Sequence, residues 1–135
     1  EGKPSAWSAP ATWTMGLLEE KDWKGIWITP PTTSEAVIMR REFAVKPGLK
    51  RAVAHVSGVG IYELGFNGGK AGQDLLAPGW TNFDETILYR TEDVTALLKE
   101  GANAATMELG NGMYHVVRRN RFAKFTGSFG PLRGF

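Results

Sequence analysis

The chain has 135 residues, 42% of them hydrophobic and 22% charged, with a formal net charge of +2. This is the composition of a single folding globular unit, and it excludes a disordered tail or a polybasic nucleic-acid arm. No run approaches the roughly 18 to 20 apolar residues that span a bilayer, and the absence of Cys removes disulfides and thiolate metal sites.

The 17 Gly and 7 Pro, with no long helical period, point to an all-β fold rich in turns. Residues 1–28 carry Trp7, Trp13, Trp23 and Trp27 among turn formers. Four indoles are costly to leave in water, so their rings are expected to cover a face of the unit that follows. From Ala36 to Val45 the alternation of Val37, Met39, Arg41 and Phe43 predicts a strand that ends before Pro47-Gly48. Arg51 to Val59 predicts a second strand. Ile61 to Phe66 leads into Asn67-Gly68, the pair that a type I′ hairpin demands.

After a Pro78-Gly79-Trp80 loop, Thr86 to Arg90 has the β-branched and aromatic content of a short strand. Asp93 or Thr91 is then placed to cap a helix of about two turns, with Val94, Leu97 and Leu98 as its stripe and Gly101 as its stop. Ala104 to Leu109 resumes an extended pattern and closes on Gly110-Asn111-Gly112, where Asn111 suits a left-handed turn position.

Several of these pieces, in this order, resemble a known family. Trp23-Lys24-Gly25-Ile26-Trp27-Ile28, preceded by Met15-Gly16-Leu17-Leu18, resembles the junction where a fibronectin-like domain ends and the N-terminal domain of bacterial α-L-rhamnosidases begins. Tyr62 to Gly68, Leu76-Ala77-Pro78-Gly79-Trp80-Thr81-Asn82-Phe83, Leu88-Tyr89, Asp93-Val94-Thr95 and Gly110-Asn111-Gly112-Met113-Tyr114 are similar to that family's pattern in order. The closing Gly127-Ser128-Phe129-Gly130-Pro131 looks like the Bacteroidetes-type branch. The resemblance spans roughly residues 13–131, and several spaced motifs in agreement are far more specific than one. The hairpin and the Asp93-Val94-Thr95 segment also resemble the front domains of β-galactosidases and β-glucuronidases.

The resemblance implies a galactose-binding-like jelly roll with one short helix, upstream of a separate (α/α)6 catalytic barrel of glycoside hydrolase family 78. It implies that residues 1–28 are the tail of a preceding fibronectin-like domain and a Trp-rich linker. Residues 29–135 would then be the sandwich, stopping before its last strands and leaving an edge open to pairing. The expected partners are the remaining domains of the parent enzyme, with no nucleic acid and no membrane, and the parent is placed in the periplasm or outside the cell.

No residue is assigned a catalytic role. Hydrolysis with inversion needs two carboxyl groups about 6.5 to 9.5 Å apart across a cleft, and nothing in the spacing of Asp74, Asp84, Glu85, Glu92 and Asp93 pairs them so. A second reading is a carbohydrate-binding module for L-rhamnose. A related rhamnose-binding module uses calcium with loop oxygen donors, and the resemblance extends that ion to this chain as the one cofactor to test, none being otherwise expected. Trp80, Asn111 and Tyr114 are the candidate sugar contacts. Asn67 and Asn111 are the candidate calcium ligands, with Asp74, Asn82 and Asp84 as further loop donors. The basic and aromatic run from Arg118 to Phe125 reads as a solvated loop or a surface for a neighbouring domain rather than a nucleic-acid surface.

Overall fold

A computed structural model describes residues 2–31, 36–116, 127–128 and 133–134. The described residues form an antiparallel β-sandwich of short and long strands, all-β as the turn-rich composition implied and a sandwich as the family resemblance implied. The main layer is a four-stranded sheet in the order β1 (Ala36–Val45), β7 (Gly101–Gly110), β4 (Ile61–Phe66) and β5 (Gly69–Lys70). Opposite it lie two strand pairs, β2 (Val53–Val56) with β6 (Arg90–Asp93), and β3 (Gly58–Val59) with β10 (Arg133–Gly134). A last pair joins β8 (His115–Val116) to β9 (Gly127–Ser128).

The period of two places the core. Register sets Val37, Leu109 and Tyr62 in one row and Met39, Met107 and Leu64 in the next. These side chains meet Val56 and Val59 from the opposite layer in one buried cluster, and Phe66, Ala71 and Val94 anchor a second. Phe43 meets Phe66 edge to face in that second cluster, with ring centres 6.2 Å apart. The layers come so close at Gly134 that a Cβ there would stand 2.5 Å from the Met107 sulfur.

The Asn67-Gly68 hairpin is as the sequence predicts: Phe66 faces Gly69, and the two loop residues have φ of 52° and 85°. The strands β1 and β7 also follow the sequence, β7 beginning three residues earlier than its alternation shows.

Four expectations are corrected. The strand expected over Arg51 to Val59 is two strands in different sheets, because at Ser57 the side-chain Oγ donates to the Leu88 carbonyl (2.8 Å) where the β2–β6 ladder stops. The strand expected over Thr86 to Arg90 runs instead from Arg90 to Asp93. Thr86 is held in a turn by the Asn82 carbonyl (2.8 Å), and the Leu88 carbonyl is taken by Ser57. The helix expected after Asp93 is a single 3₁₀ turn, Thr95–Leu97, because Val94 drops into the core at 2% exposure. Neither Asp93 nor Thr91 caps it: Val94 takes the cap position with no side-chain bond, and Asp93, one residue earlier, accepts from the Thr95 amide (3.0 Å) and hydroxyl (2.6 Å) as an Asx turn.

The fourth correction concerns the tryptophans. Trp7 and Trp13 are 99% and 88% exposed and cover nothing. Docking among the described residues of the N-terminal segment begins at Thr14, which accepts from the Arg51 guanidinium. Tyr89 Oη accepts from the Leu17 amide (2.8 Å), Trp23 meets the Tyr89 ring edge to face at 4.9 Å, and Ile28 bridges to Gly134.

Candidate functional site

The residues expected to contact sugar or metal do not converge. Trp80 stands in the loop after the cis Ala77–Pro78 bond and is 68% exposed, so its indole face is open to solvent. Tyr114 is the opposite case. It is buried at 6% exposure in the main core cluster, its ring packed edge to face on Phe83 at 5.1 Å, and it offers no platform. The aromatic content that suggested stacking on sugar serves packing there.

Asn111 is not the left-handed residue of its loop; Gly112 is, with φ of 53°, and among the described residues Asn67 is the one non-glycine of positive φ. The Asn111 carbonyl accepts from the His115 amide (3.2 Å), closing the turn. Its side-chain Oδ1 is shielded from solvent and has no hydrogen-bond partner among the described residues.

Both ends of the Asn67 amide are engaged by the fold. Its Nδ2 donates to the Leu97 carbonyl and to Asn103 Oδ1, both at 2.8 Å, and its Oδ1 accepts from the Ala104 amide at 3.0 Å. Two of the other loop donors are also engaged: Asp74 pairs with Arg90 (2.5 Å), and Asn82 Oδ1 accepts from the Asp84 amide (3.3 Å). Calcium takes six to eight oxygens, and among the described residues no group of three or more acidic or histidine side chains is placed to hold a metal. With the Asn67 amide engaged by Leu97, Asn103 and Ala104, and Asn67 and Asn111 at opposite ends of β4, this donor set does not fit the ion.

The acids are likewise scattered in role. Arg90 lies between Asp74 and Glu92 (2.5 and 3.7 Å), Lys70 pairs with Glu63, and Asp93 accepts from Thr95. The Thr95 hydroxyl and amide beside it, and then Arg51, hold the Asp93 carboxyl below the usual carboxylate range. Burial pushes the Tyr62 phenol well above its ordinary value, so it stays neutral and donates to the Val56 carbonyl (3.3 Å). His55 engages the Thr91 hydroxyl (3.0 Å) and the Tyr89 ring. The run from Arg118 to Phe125 lies outside the described residues.

What sequence reading missed is a groove. It has a volume of about 740 Å³ and lies between the N-terminal segment and the sandwich, with Glu20, Trp23, Ile26, Trp27, Ile87 and Tyr89 on its walls. None of Trp80, Asn111 and Tyr114 lines it, or a second groove of about 600 Å³ beside Val37, Ile61 and Leu75. Trp23 and Trp27 stood out in the sequence as packing residues; the signal available was that an acidic turn, Glu19 to Asp22, directly precedes them.

Comparison with known proteins gives a consistent result. The profile of the α-L-rhamnosidase N-terminal domain matches residues 48–131. An α-L-rhamnosidase of Formosa agariphila is 29% identical over 126 residues, covering 84% of this chain and 14% of its own length. One of Streptomyces avermitilis is 36% identical over 102 residues, covering 75% of this chain and 9% of its own length. The crystal structure of the native α-L-rhamnosidase from Aspergillus terreus superposes with a TM-score of 0.75 at 30% identity, over 88% of this chain and 14% of that one. The chain thus spans about a seventh or less of the relatives it matches, always as one small part of a longer polypeptide. With the same sandwich and the profile match across most of its length, the chain belongs to the α-L-rhamnosidase N-terminal domain family.

Proposed function

We propose that this chain is the non-catalytic N-terminal β-sandwich of an α-L-rhamnosidase, a protein that removes terminal L-rhamnose from glycans with a catalytic domain outside these residues. The observation that carries the reading is the family match over residues 48–131, joined to the small share of each relative that the chain spans. The scatter of the carboxylates supports it, since Asp74, Glu92 and Asp93 each have a local structural partner. On this reading residues 1–28 are a linker and the tail of a preceding fibronectin-like domain, the partners of the sandwich are the other domains of the enzyme, and the protein acts in the periplasm or outside the cell.

The test is release of the aryl group from an aryl α-L-rhamnoside by the complete polypeptide and by the 135-residue chain. Hydrolysis by the complete polypeptide alone is expected. Turnover by the chain itself overturns the non-catalytic role, and inactivity of the complete polypeptide overturns the rhamnosidase reading.

The open indole of Trp80, 68% exposed, favours a second reading, in which the domain also binds L-rhamnose. Calorimetric titration with L-rhamnose, repeated with chelator, is expected to give a component of saturable heat that Trp80→Ala removes and chelation leaves unchanged. No heat from a folded chain removes this reading.

A further inference from the structure

The groove between the N-terminal segment and the sandwich has the size and chemistry of a ligand site distinct from the Trp80 loop. Its volume of about 740 Å³ falls within the roughly 300 to 1,000 Å³ usual for small-molecule pockets. One wall is the segment carrying Trp23, Ile26 and Trp27, and the other carries Ser57, Ile87 and Tyr89. The walls are fixed to one another before any ligand arrives, by the Leu17 amide on Tyr89 Oη (2.8 Å) and by the edge contact of Trp23 on the Tyr89 ring. Apolar surface remains open in it: Trp27 is 40% exposed, Ile87 37% and Ile26 77%.

The polar part of the lining narrows the ligand class. Glu20 stands on the 3₁₀ turn Glu20–Asp22. Its neighbours are spoken for, Glu19 by Lys21 (2.5 Å) and Asp22 by the amides of Leu18 and Glu19 (3.3 and 3.1 Å). Glu20 enters none of the ion pairs or side-chain hydrogen bonds of the described residues, so its carboxylate is available to accept. Ser57 Oγ spends its proton on the Leu88 carbonyl and can only accept from anything else. No lining residue is basic, and Glu20 would repel a negative charge, which excludes phosphates and acidic sugars. A wholly apolar ligand would strip water from Glu20 without replacing its hydrogen bonds. A neutral ring with hydroxyl donors on one side and C–H groups on a face meets both demands, the face lying on an indole and a hydroxyl reaching the carboxylate.

We propose that this groove binds a neutral pyranose sugar, with Trp27 as its stacking surface and Glu20 as its hydroxyl acceptor. Only the choice of first probe rests on the rhamnosidase reading.

The five tryptophans supply the test. In a proton–nitrogen correlation spectrum of the 135-residue chain, each indole N–H gives one signal, assigned by single Trp→Phe variants. The chain is titrated with methyl α-L-rhamnopyranoside, and separately with methyl α-D-mannopyranoside and methyl β-D-glucopyranoside, into the high millimolar range. At least one sugar is expected to move the Trp23 and Trp27 signals saturably while those of Trp7 and Trp13 stay still. Glu20→Gln, a change at an exposed position, is expected to weaken that binding about tenfold, and Trp27→Ala to abolish it. A Trp80→Ala chain should bind unchanged. Movement of the Trp80 signal alone, equal binding by Glu20→Gln, or no saturable movement with any of the three sugars overturns the proposal. Hydrolysis by the complete polypeptide is read independently, so the two readings fail separately.

Discussion

Asn67 and Asn103 hold each other across the second core cluster: Asn67 Nδ2 donates to Asn103 Oδ1 at 2.8 Å, tying the tip of the β4–β5 hairpin to the start of β7. Asn103 is 4% exposed, and its amide also serves the Lys99 amide (3.0 Å), the Lys99 carbonyl (2.6 Å) and the Gly101 carbonyl (2.9 Å). A buried amide with all its groups matched is costly to remove, because truncation leaves the partners without water or replacement. Asn103→Ala is expected to destabilise by about 3 kcal/mol. In a double-mutant cycle, Asn67→Ala and Asn103→Ala should couple by about 1 kcal/mol or more, measured by urea unfolding. Additive effects would show that the two amides act separately.

The core and the exposed loop should respond very differently to truncation. Leu109, 1% exposed on the central strand β7, packs with residues from both layers, and Leu109→Ala is expected to cost about 3 kcal/mol. Trp80→Ala removes a larger side chain from a site 68% exposed and should change stability by no more than about 0.5 kcal/mol. Thermal melts of the two variants beside the parent chain check the contrast.

Much of this frame is legible in the residues themselves, where the cause is local. Asn67-Gly68 announces its hairpin because a two-residue turn needs two positive φ angles, and β1 shows its buried face through Val37, Met39 and Phe43. The break at Ser57 is not legible, because it depends on a carbonyl 31 residues away. Nor is the fate of each aromatic: transfer energies say that Trp7 and Tyr114 prefer burial, and only the tertiary arrangement leaves the first in water and puts the second beside Phe83. The groove was hidden for the same reason, since Trp27 and Tyr89 are neighbours in space alone.

Acid should act on the turn after β6. Hydrogen bonds from Thr95 favour the ionised form of Asp93, lowering its pKa in the folded chain. The stabilisation is therefore complete above the carboxyl's unfolded value. It declines as pH falls below that value and is lost once pH passes through the lowered folded one. Asp93→Asn is expected to melt below the parent at neutral pH, with the gap closing in acid. A gap independent of pH would assign the effect to shape rather than charge.

Two glycines of positive φ make a further comparison. Gly48 (φ 86°) has nothing within 4 Å of an added Cβ, so Gly48→Ala meets only the backbone penalty of about 1 kcal/mol. At Gly112 (φ 53°) the added carbon would stand 2.9 Å from Ile61 Cγ1 and 3.1 Å from the Gly60 carbonyl carbon. Gly112→Ala should therefore destabilise by clearly more than Gly48→Ala in the same denaturant assay. Equal losses would mean that the Asn111 turn moves freely away from β4.

Gly134 has a place between two distant partners, paired with Gly58 in β3 on one side and bridged to Ile28 on the other. During synthesis the ribosome delivers Ile28 long before Gly134, so this seam of the sandwich stays unclosed until nearly all of the described chain has emerged. Pairings of such wide separation form late and slowly. The wall that carries Trp23 and Trp27 sits just ahead of that seam, so the last of its anchors to the sandwich, the Ile28 bridge, waits for residues more than a hundred positions further on.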